Sequence, residues 1–148
     1  MTNLYVWLKF FHLIGLAVFL FAHGVSGGAS LALRAPVSPE SRRLLRLSQR
    51  SGIIANPSLL VVIVTGVWMA FAGHWWGQGW LWASLAVLVA LLVAMGLVAR
   101  PYYLARDAAA EPDDVLTDRL SHTRPLAAIW IGGLGLVVLF FLMVFKAF

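Results

Sequence analysis

Cysteine is absent from this 148-residue chain, and charged residues are scarce. The absence of cysteine excludes disulfide bonds, thiolate metal sites, iron–sulfur clusters, cysteine nucleophiles and covalent c-type haem attachment through cysteine. Charged residues make up only 11% of the chain, whereas a soluble domain has about 25%. No acidic residue lies inside the long apolar runs, which argues against a proton relay built from carboxylates. The composition therefore favours a membrane domain over a soluble one.

Four apolar runs are each long enough to cross a bilayer, which takes about 20 residues in a helix. The sequence therefore predicts an all-α, antiparallel bundle of four transmembrane helices in a single integral membrane domain, residues 1–148. The predicted helices cover roughly residues 4–33, 53–72, 80–100 and 125–146. The lipid bilayer is the first expected partner.

The basic residues are unevenly distributed between the two ends of the predicted bundle. Nine of the eleven lie in the loops 34–50 and 100–124, whereas only Lys9 and Lys146 lie near the other end. The positive-inside rule places the arginine-rich loops in the cytoplasm and both termini outside, as in a multi-pass protein of the bacterial inner (cytoplasmic) membrane. The net charge of +5 thus reflects topology, and nucleic acid is not an expected partner.

Two histidines on the first predicted helix, His12 and His23, are the main candidates for a metal or haem site. They are eleven residues apart, so they lie about 20° apart around the helix and about 16 Å apart along it. Ionisable side chains inside a bilayer usually face a bundle interior and mark a site. The alternative is a histidine that is hydrogen-bonded to a neighbouring helix. The stripe shared by the two histidines also carries Tyr5, Gly15, Leu16, Phe19, Ser26, Gly27 and Ser30, and the opposite, apolar side carries Trp7, Ile14, Val18, Phe21 and Val25.

The expected neighbours of His12 follow from its depth in an antiparallel bundle. The second helix offers Thr65 and Gly66 at that level, but no histidine. A haem at His12 would therefore be five-coordinate, paired with a methionine, or paired with His74 from the loop 73–79.

The expected partner of His23 is His122, which precedes the fourth helix. Two histidine pairs at two levels would resemble transmembrane dihaem cytochromes. Lys9 and Arg100 lie near span ends, where they are candidate partners for haem propionates. Snorkelling of these two side chains to lipid headgroups is the alternative.

The segments between the spans have simpler interpretations. Ser38 and Pro39 predict a helix start, followed by a basic stretch, residues 42–47, that can lie on the cytoplasmic interface. Four tryptophans at one boundary predict an aromatic belt. Residues 106–119 mix acidic and basic side chains without the spacing of a cation-binding loop, so they are expected to form a solvated loop. The belt tryptophans are Trp75, Trp76, Trp80 and Trp82.

Trp7-Leu8-Lys9-Phe10-Phe11-His12 resembles the Trp-x-Lys-x-x-His opening of the small membrane protoporphyrinogen oxidases that bind haem b. Gly79-Trp80-Leu81 resembles the start of their third helix. That family has a functional lysine shortly after this tripeptide, where the present chain reads Trp82-Ala83-Ser84. The missing lysine argues against protoporphyrinogen oxidase activity.

The whole chain resembles more closely an uncharacterised bacterial family of small four-helix membrane proteins, which are similar to the membrane domain of copper-resistance protein D. This resemblance implies a four-helix bundle with a haem or copper site. The motifs that carry it are Lys9-Phe10-Phe11-His12, Ala22-His23-Gly24-Val25-Ser26, Gly79-Trp80-Leu81-Trp82-Ala83 and Arg100-Pro101-Tyr102-Tyr103.

Three functions are compatible with these features. The leading hypothesis is a haem-b-binding, cytochrome-like membrane protein in electron transfer with quinone, with His12 as principal ligand and His23 at a second site. The second is copper binding or transport through His12, His23 and methionines. The third is a cofactor-free accessory subunit of a homodimer or larger membrane complex, because small residues suit helix association. The candidate methionines are Met69, Met95 and Met143.

Overall fold

The computed structural model describes residues 2–33 and 37–146, and they form an all-α bundle with four helices long and apolar enough to cross a membrane. A fifth, short helix lies between the third and fourth of these spans. The helices are α1 (Thr2–Ala32), α2 (Pro39–Ala72), α3 (Gly79–Asp107), α4 (Asp113–Ser121) and α5 (Pro125–Phe145), with a 3-10 turn at Trp75–Gly77. The predicted all-α fold with four transmembrane helices is confirmed.

The four long helices pack as two antiparallel pairs, α1 with α2 and α3 with α5, and contacts between the pairs are fewer. The register of the first pair follows from two contacts, since His12 meets Thr65 and Ser26 meets Ser48. One residue number rises as the other falls, as antiparallel packing requires.

Glycines allow the helices of each pair to approach closely. A Cβ on Gly15 would lie 3.3 Å from the carbonyl oxygen of Ser58 in α2, and a Cβ on Gly135 would lie 2.5 Å from Leu91 in α3. Transmembrane helices associate through such small residues because lipid removes the hydrophobic driving force between them. The sequence predicts close packing at the small residues of 24–30 and 132–135. Gly135 confirms this for α5, whereas a Cβ on Gly24, Gly27 or Gly28 would meet no atom within 4 Å, so the prediction was wrong for the glycines at the end of α1.

α2 begins where the sequence predicts a helix start, but it runs further than the predicted span. The Ser38 hydroxyl accepts a hydrogen bond from the Ser41 backbone N–H at 3.2 Å, and Pro39 occupies the first turn. The helix then continues without a break to Ala72. The predicted span, residues 53–72, is thus the apolar part of a longer helix. The basic stretch, residues 42–47, continues the same helix, although Gly52 and Pro57 lie within it.

The segment 106–119 also differs from the expected solvated loop. α3 extends to Asp107, and α4 occupies Asp113–Ser121. Two aspartates in the first turn of α4 and Arg119 in its last turn favour this helix through its dipole. Leu116 is fully buried in a small core with Leu45 and Tyr102, which holds α4 against α2 and α3.

The two ends of the bundle have different chemistry. The tryptophan-rich end carries the 73–79 connection, and the Lys146 ammonium lies 4.5 Å from the centre of the Trp75 ring. The arginine-rich end carries the basic residues of α2, α3 and α4 and Arg124, while Arg34 lies outside the described residues. Arg42 ties this end together, because its guanidinium donates to the Ala109 and Glu111 carbonyl oxygens and pairs with Asp113.

Candidate functional site

His12 lies at the interface between α1 and α2 and is buried, with 9% of its surface exposed. Its Nδ1 atom is 2.9 Å from the Val62 carbonyl oxygen and 3.2 Å from the Thr65 hydroxyl. The Thr65 hydroxyl in turn donates to the Val61 carbonyl oxygen at 2.6 Å. The second helix thus binds the histidine of the first at the depth that the sequence predicts.

These contacts determine which ring nitrogen carries the proton. A carbonyl oxygen only accepts hydrogen bonds, so Nδ1 must be the donor to Val62. The neutral imidazole of His12 then has its lone pair on Nε2. All hydrogen bonds of the His12 ring within the described residues use Nδ1. Metal-bound histidines use the same arrangement, in which one ring N–H donates to a carbonyl and the other nitrogen binds the metal.

Two glycines, Gly15 and Gly66, allow α1 and α2 to pack closely around this histidine. A Cβ added to Gly66 would lie 3.1 Å from His12 Cε1, and a Cβ added to Gly15 would lie 3.1 Å from Val61. Both distances are tighter than ordinary van der Waals contact. The absence of side chains at Gly15 and Gly66 therefore allows the imidazole to lie close to the backbone of α2.

The two faces of α1 are arranged as the sequence predicts. His12 and Gly15 are buried and His23 is half-buried, whereas Phe21 is 77% exposed. Ile14 and Val18 are also exposed. The polar stripe faces protein and the apolar stripe is open to lipid, so this prediction is confirmed.

His23 lies about 16 Å along α1 from His12. Its ring stacks on Phe19, with ring centres 5.3 Å apart. One turn further on, the Ser26 hydroxyl lies 2.7 Å from the Ser48 hydroxyl in α2, and the buried Tyr102 hydroxyl lies beside these two serines. The sequence did not indicate this polar cluster, because serines and tyrosines at helix contacts are common.

The remaining candidate ligands lie at the two ends of the bundle. His74 is exposed and follows the end of α2 in a left-handed conformation, with φ of 55°. The end of α2 at Ala72 is seven residues beyond Thr65, which corresponds to about 10 Å. His74 thus occupies a different level from His12.

His122 is exposed at the arginine-rich end, where its Nδ1 lies 2.8 Å from the Asp118 carbonyl oxygen. It lines a surface cleft together with Arg100. Lys9 is exposed on α1, one turn before His12. The structure therefore places Arg100 and His122 in the wall of one cleft, an arrangement that the sequence did not predict, because α4 was not foreseen.

The described residues contain no group of three or more histidine, aspartate or glutamate side chains that could hold a metal ion. Met69 is buried and lies one helical turn from Thr65, hence on the same face of α2. Within the described residues, the His12 imidazole and the Met69 thioether are therefore too few ligands for a protein-only metal cage.

Comparison with known proteins shows the family of this chain. No curated protein and no solved structure matches it. The resemblances to copper-resistance protein D and to protoporphyrinogen oxidases stay predictions. Residues 6–147 match the model of a family described as "Predicted integral membrane protein (DUF2269)", and the chain therefore belongs to this family of integral membrane proteins.

Proposed function

We propose that this protein is a haem-b-binding electron carrier of the bacterial inner membrane, with His12 as the axial ligand. The observation that carries the proposal is the hydrogen bond from His12 Nδ1 to the Val62 carbonyl oxygen, 2.9 Å long. This bond fixes the tautomer and orientation of the ring and makes Nε2 the ligating nitrogen. Imidazole is a common axial ligand of haem iron.

The position of His12 supports the same proposal. An imidazole in the bilayer costs free energy that a purely structural residue at an α1–α2 contact would not require. Gly66 leaves room for the ring, since a Cβ there would lie 3.1 Å from His12 Cε1. We therefore infer that the buried imidazole serves a ligand as well as the contact between the two helices.

The bound haem would supply one-electron redox chemistry. The protein would contribute the ligand His12, the apolar surroundings and the hydrogen bond to Val62, which are features that set the potential of a haem. Lys9 lies about 4.5 Å along α1 from His12, towards the tryptophan-rich end, where its ammonium group is suited to a propionate. His23 would bind a second haem towards the arginine-rich end, where Arg100 is a candidate partner for a propionate, and we expect membrane quinone to exchange electrons with the protein.

The optical spectrum of the purified protein tests this proposal. The full chain should be expressed with haem supply, extracted in a mild detergent and measured in oxidised and reduced states. We expect a Soret band, visible bands that sharpen on reduction, and reduction of the pigment by a short-chain quinol. A colourless protein that also fails to take up added haemin would refute the proposal and favour the accessory-subunit hypothesis.

Copper is the second candidate, favoured by the burial of Met69 on the α2 face that contacts His12. An imidazole and a thioether are ligands that Cu(I) accepts. Met69→Leu preserves volume and removes the thioether, so it separates the two functions. Loss of bound copper in both His12→Ala and Met69→Leu would support copper, whereas haem that persists in Met69→Leu and disappears in His12→Ala would support a five-coordinate haem.

A further inference from the structure

A polar cleft opens between α2 and α3 at the arginine-rich end. Its volume is about 340 Å³. Four of its six lining residues carry side-chain N–H donors, and none carries a carboxylate. The lining residues are Gln49, Arg50, Gly52, Ile53, Asn56 and Arg106. A concave surface with several donors and two positive charges is suited to an anion.

Arg106 is held in place on the α3 side of this cleft. Its guanidinium lies 5.0 Å from the centre of the Tyr103 ring, and a Cβ on Gly52 would be only 3.1 Å from its Nη1. Its Nε is buried and has no hydrogen-bond partner among the described residues. Its Nε forms an ion pair with the exposed Asp107 carboxylate at 3.9 Å, a distance longer than a hydrogen bond. The side chain is thus oriented by its neighbours, and its Nη atoms are the donors that can face the cleft.

The cleft lies where the bundle leaves the hydrocarbon region. Twenty residues separate Gly52 from the end of α2 at Ala72, which corresponds to about 30 Å, the thickness of the hydrocarbon core. Ile53, in the cleft wall, is 71% exposed, and Ile54 is 54% exposed. Donors for an anion therefore lie directly beside an apolar surface that acyl chains can cover.

We propose that this cleft binds the phosphate headgroup of an anionic phospholipid, with Arg50 and Arg106 as the two cationic contacts. Inorganic phosphate has the same charged group but no acyl chain to cover the apolar surface at Ile53, so the observations favour the lipid. The neighbouring cleft with Arg100 and His122 is a weaker candidate, because the Asp118 carboxylate lines it and would repel phosphate. The proposal does not depend on the binding of haem or copper.

Lipid binding to the purified full chain tests the proposal. The protein in an uncharged detergent should be titrated with phosphatidylglycerol, phosphatidylcholine or inorganic phosphate, and the bound species should be resolved by native mass spectrometry. We expect phosphatidylglycerol to bind more tightly than phosphatidylcholine. Arg50→Gln should weaken phosphatidylglycerol binding by about five-fold, the effect of one basic residue at an anionic membrane surface.

Two further variants complete the test. Arg43→Gln is the matched control, because Arg43 is also exposed on α2 and makes the same change of charge, but it does not line the cleft. The affinity of the Arg43→Gln protein for phosphatidylglycerol should stay near the wild-type value. Arg106→Lys keeps the charge, and it should weaken binding because lysine lacks the planar donor fork of arginine.

Equal losses in Arg50→Gln and Arg43→Gln would overturn the proposal, since they would show only a diffuse response to charge. Inorganic phosphate that binds as tightly as phosphatidylglycerol and competes with it would assign the cleft to free phosphate and overturn the lipid. Because Arg50 is exposed, its substitution leaves the helix packing intact and keeps the test decisive.

Discussion

The His12 imidazole in α1 donates from Nδ1 to the Val62 carbonyl oxygen in α2, across 2.9 Å. This contact joins the two helices at a level where Gly15 and Gly66 let the backbones approach. It also leaves the lone pair of the neutral ring on Nε2. Packing, tautomer and the proposed ligation thus depend on the same pair of residues.

The close contact at Gly15 predicts a stability difference between two glycines of one helix. Gly15→Leu should destabilise the α1–α2 pair by about 1–3 kcal/mol, because the added side chain overpacks the interface with Ser58 and Val61. Gly24→Leu is the control, since a Cβ there meets no atom within 4 Å. Thermal unfolding in detergent should show a lower midpoint for Gly15→Leu only. Equal midpoints for the two variants would contradict the packing described for α1 and α2.

The contacts of Arg42 should stabilise the connection between α3 and α4. Its guanidinium donates to the Ala109 and Glu111 carbonyl oxygens, so Arg42→Gln should release this segment. Amide hydrogen exchange across residues 108–111 should become about three-fold faster or more, because local opening exposes the backbone. Arg43→Gln should exchange at the wild-type rate. An Arg42→Gln protein that exchanges as slowly as wild type would show that α4 is held by its Leu116 core alone.

The orientation of the bundle is a separate prediction. The arginine-rich end should face the cytoplasm and both termini should lie outside, because basic loops resist translocation. A reporter fused after Ala108 should give a cytoplasmic signal, and one fused after Lys146 should give an external signal. The opposite pattern would invert the topology.

His74 provides a test of the ligand assignment at the tryptophan-rich end. His74→Gly should leave the haem spectrum unchanged, because the exposed residue sits at a different level from His12. It should not lower stability either, since φ of 55° is a conformation that glycine adopts without strain. Loss of the Soret band in this variant would instead make His74 an axial ligand.

The sequence predicted the spans and the buried face of α1 because both depend on hydrophobic periodicity and length. It also placed Thr65 and Gly66 at the depth of His12, since antiparallel helices with a rise of about 1.5 Å per residue fix relative depth. The Val62 acceptor was not predictable, because a backbone carbonyl leaves no signal in the sequence. Which carbonyl of α2 faces His12 depends on how α2 is rotated about its own axis, and the sequence does not give that rotation.

The arginine-rich end was predicted less well, for a physical reason. A basic stretch is compatible with a helix that lies on the interface and equally with a helix that continues out of the membrane, so the sequence does not distinguish the two. Burial of Leu45 and Leu116 in one core decides between them, and such a contact joins residues distant in sequence. The cleft at Arg50 and Arg106 depends on the same arrangement of α2 and α3, so it too was visible only in the structure.

The central claim is tested most directly by the optical spectrum of His12→Ala, recorded beside wild type and His74→Gly at equal protein concentration. All three proteins should be purified from cells supplied with haem and checked for a folded, monodisperse state. We expect the His12→Ala protein to lose or strongly shift the Soret band, while His74→Gly keeps it. A folded His12→Ala protein with the wild-type haem spectrum would contradict the assignment of His12 as the axial ligand.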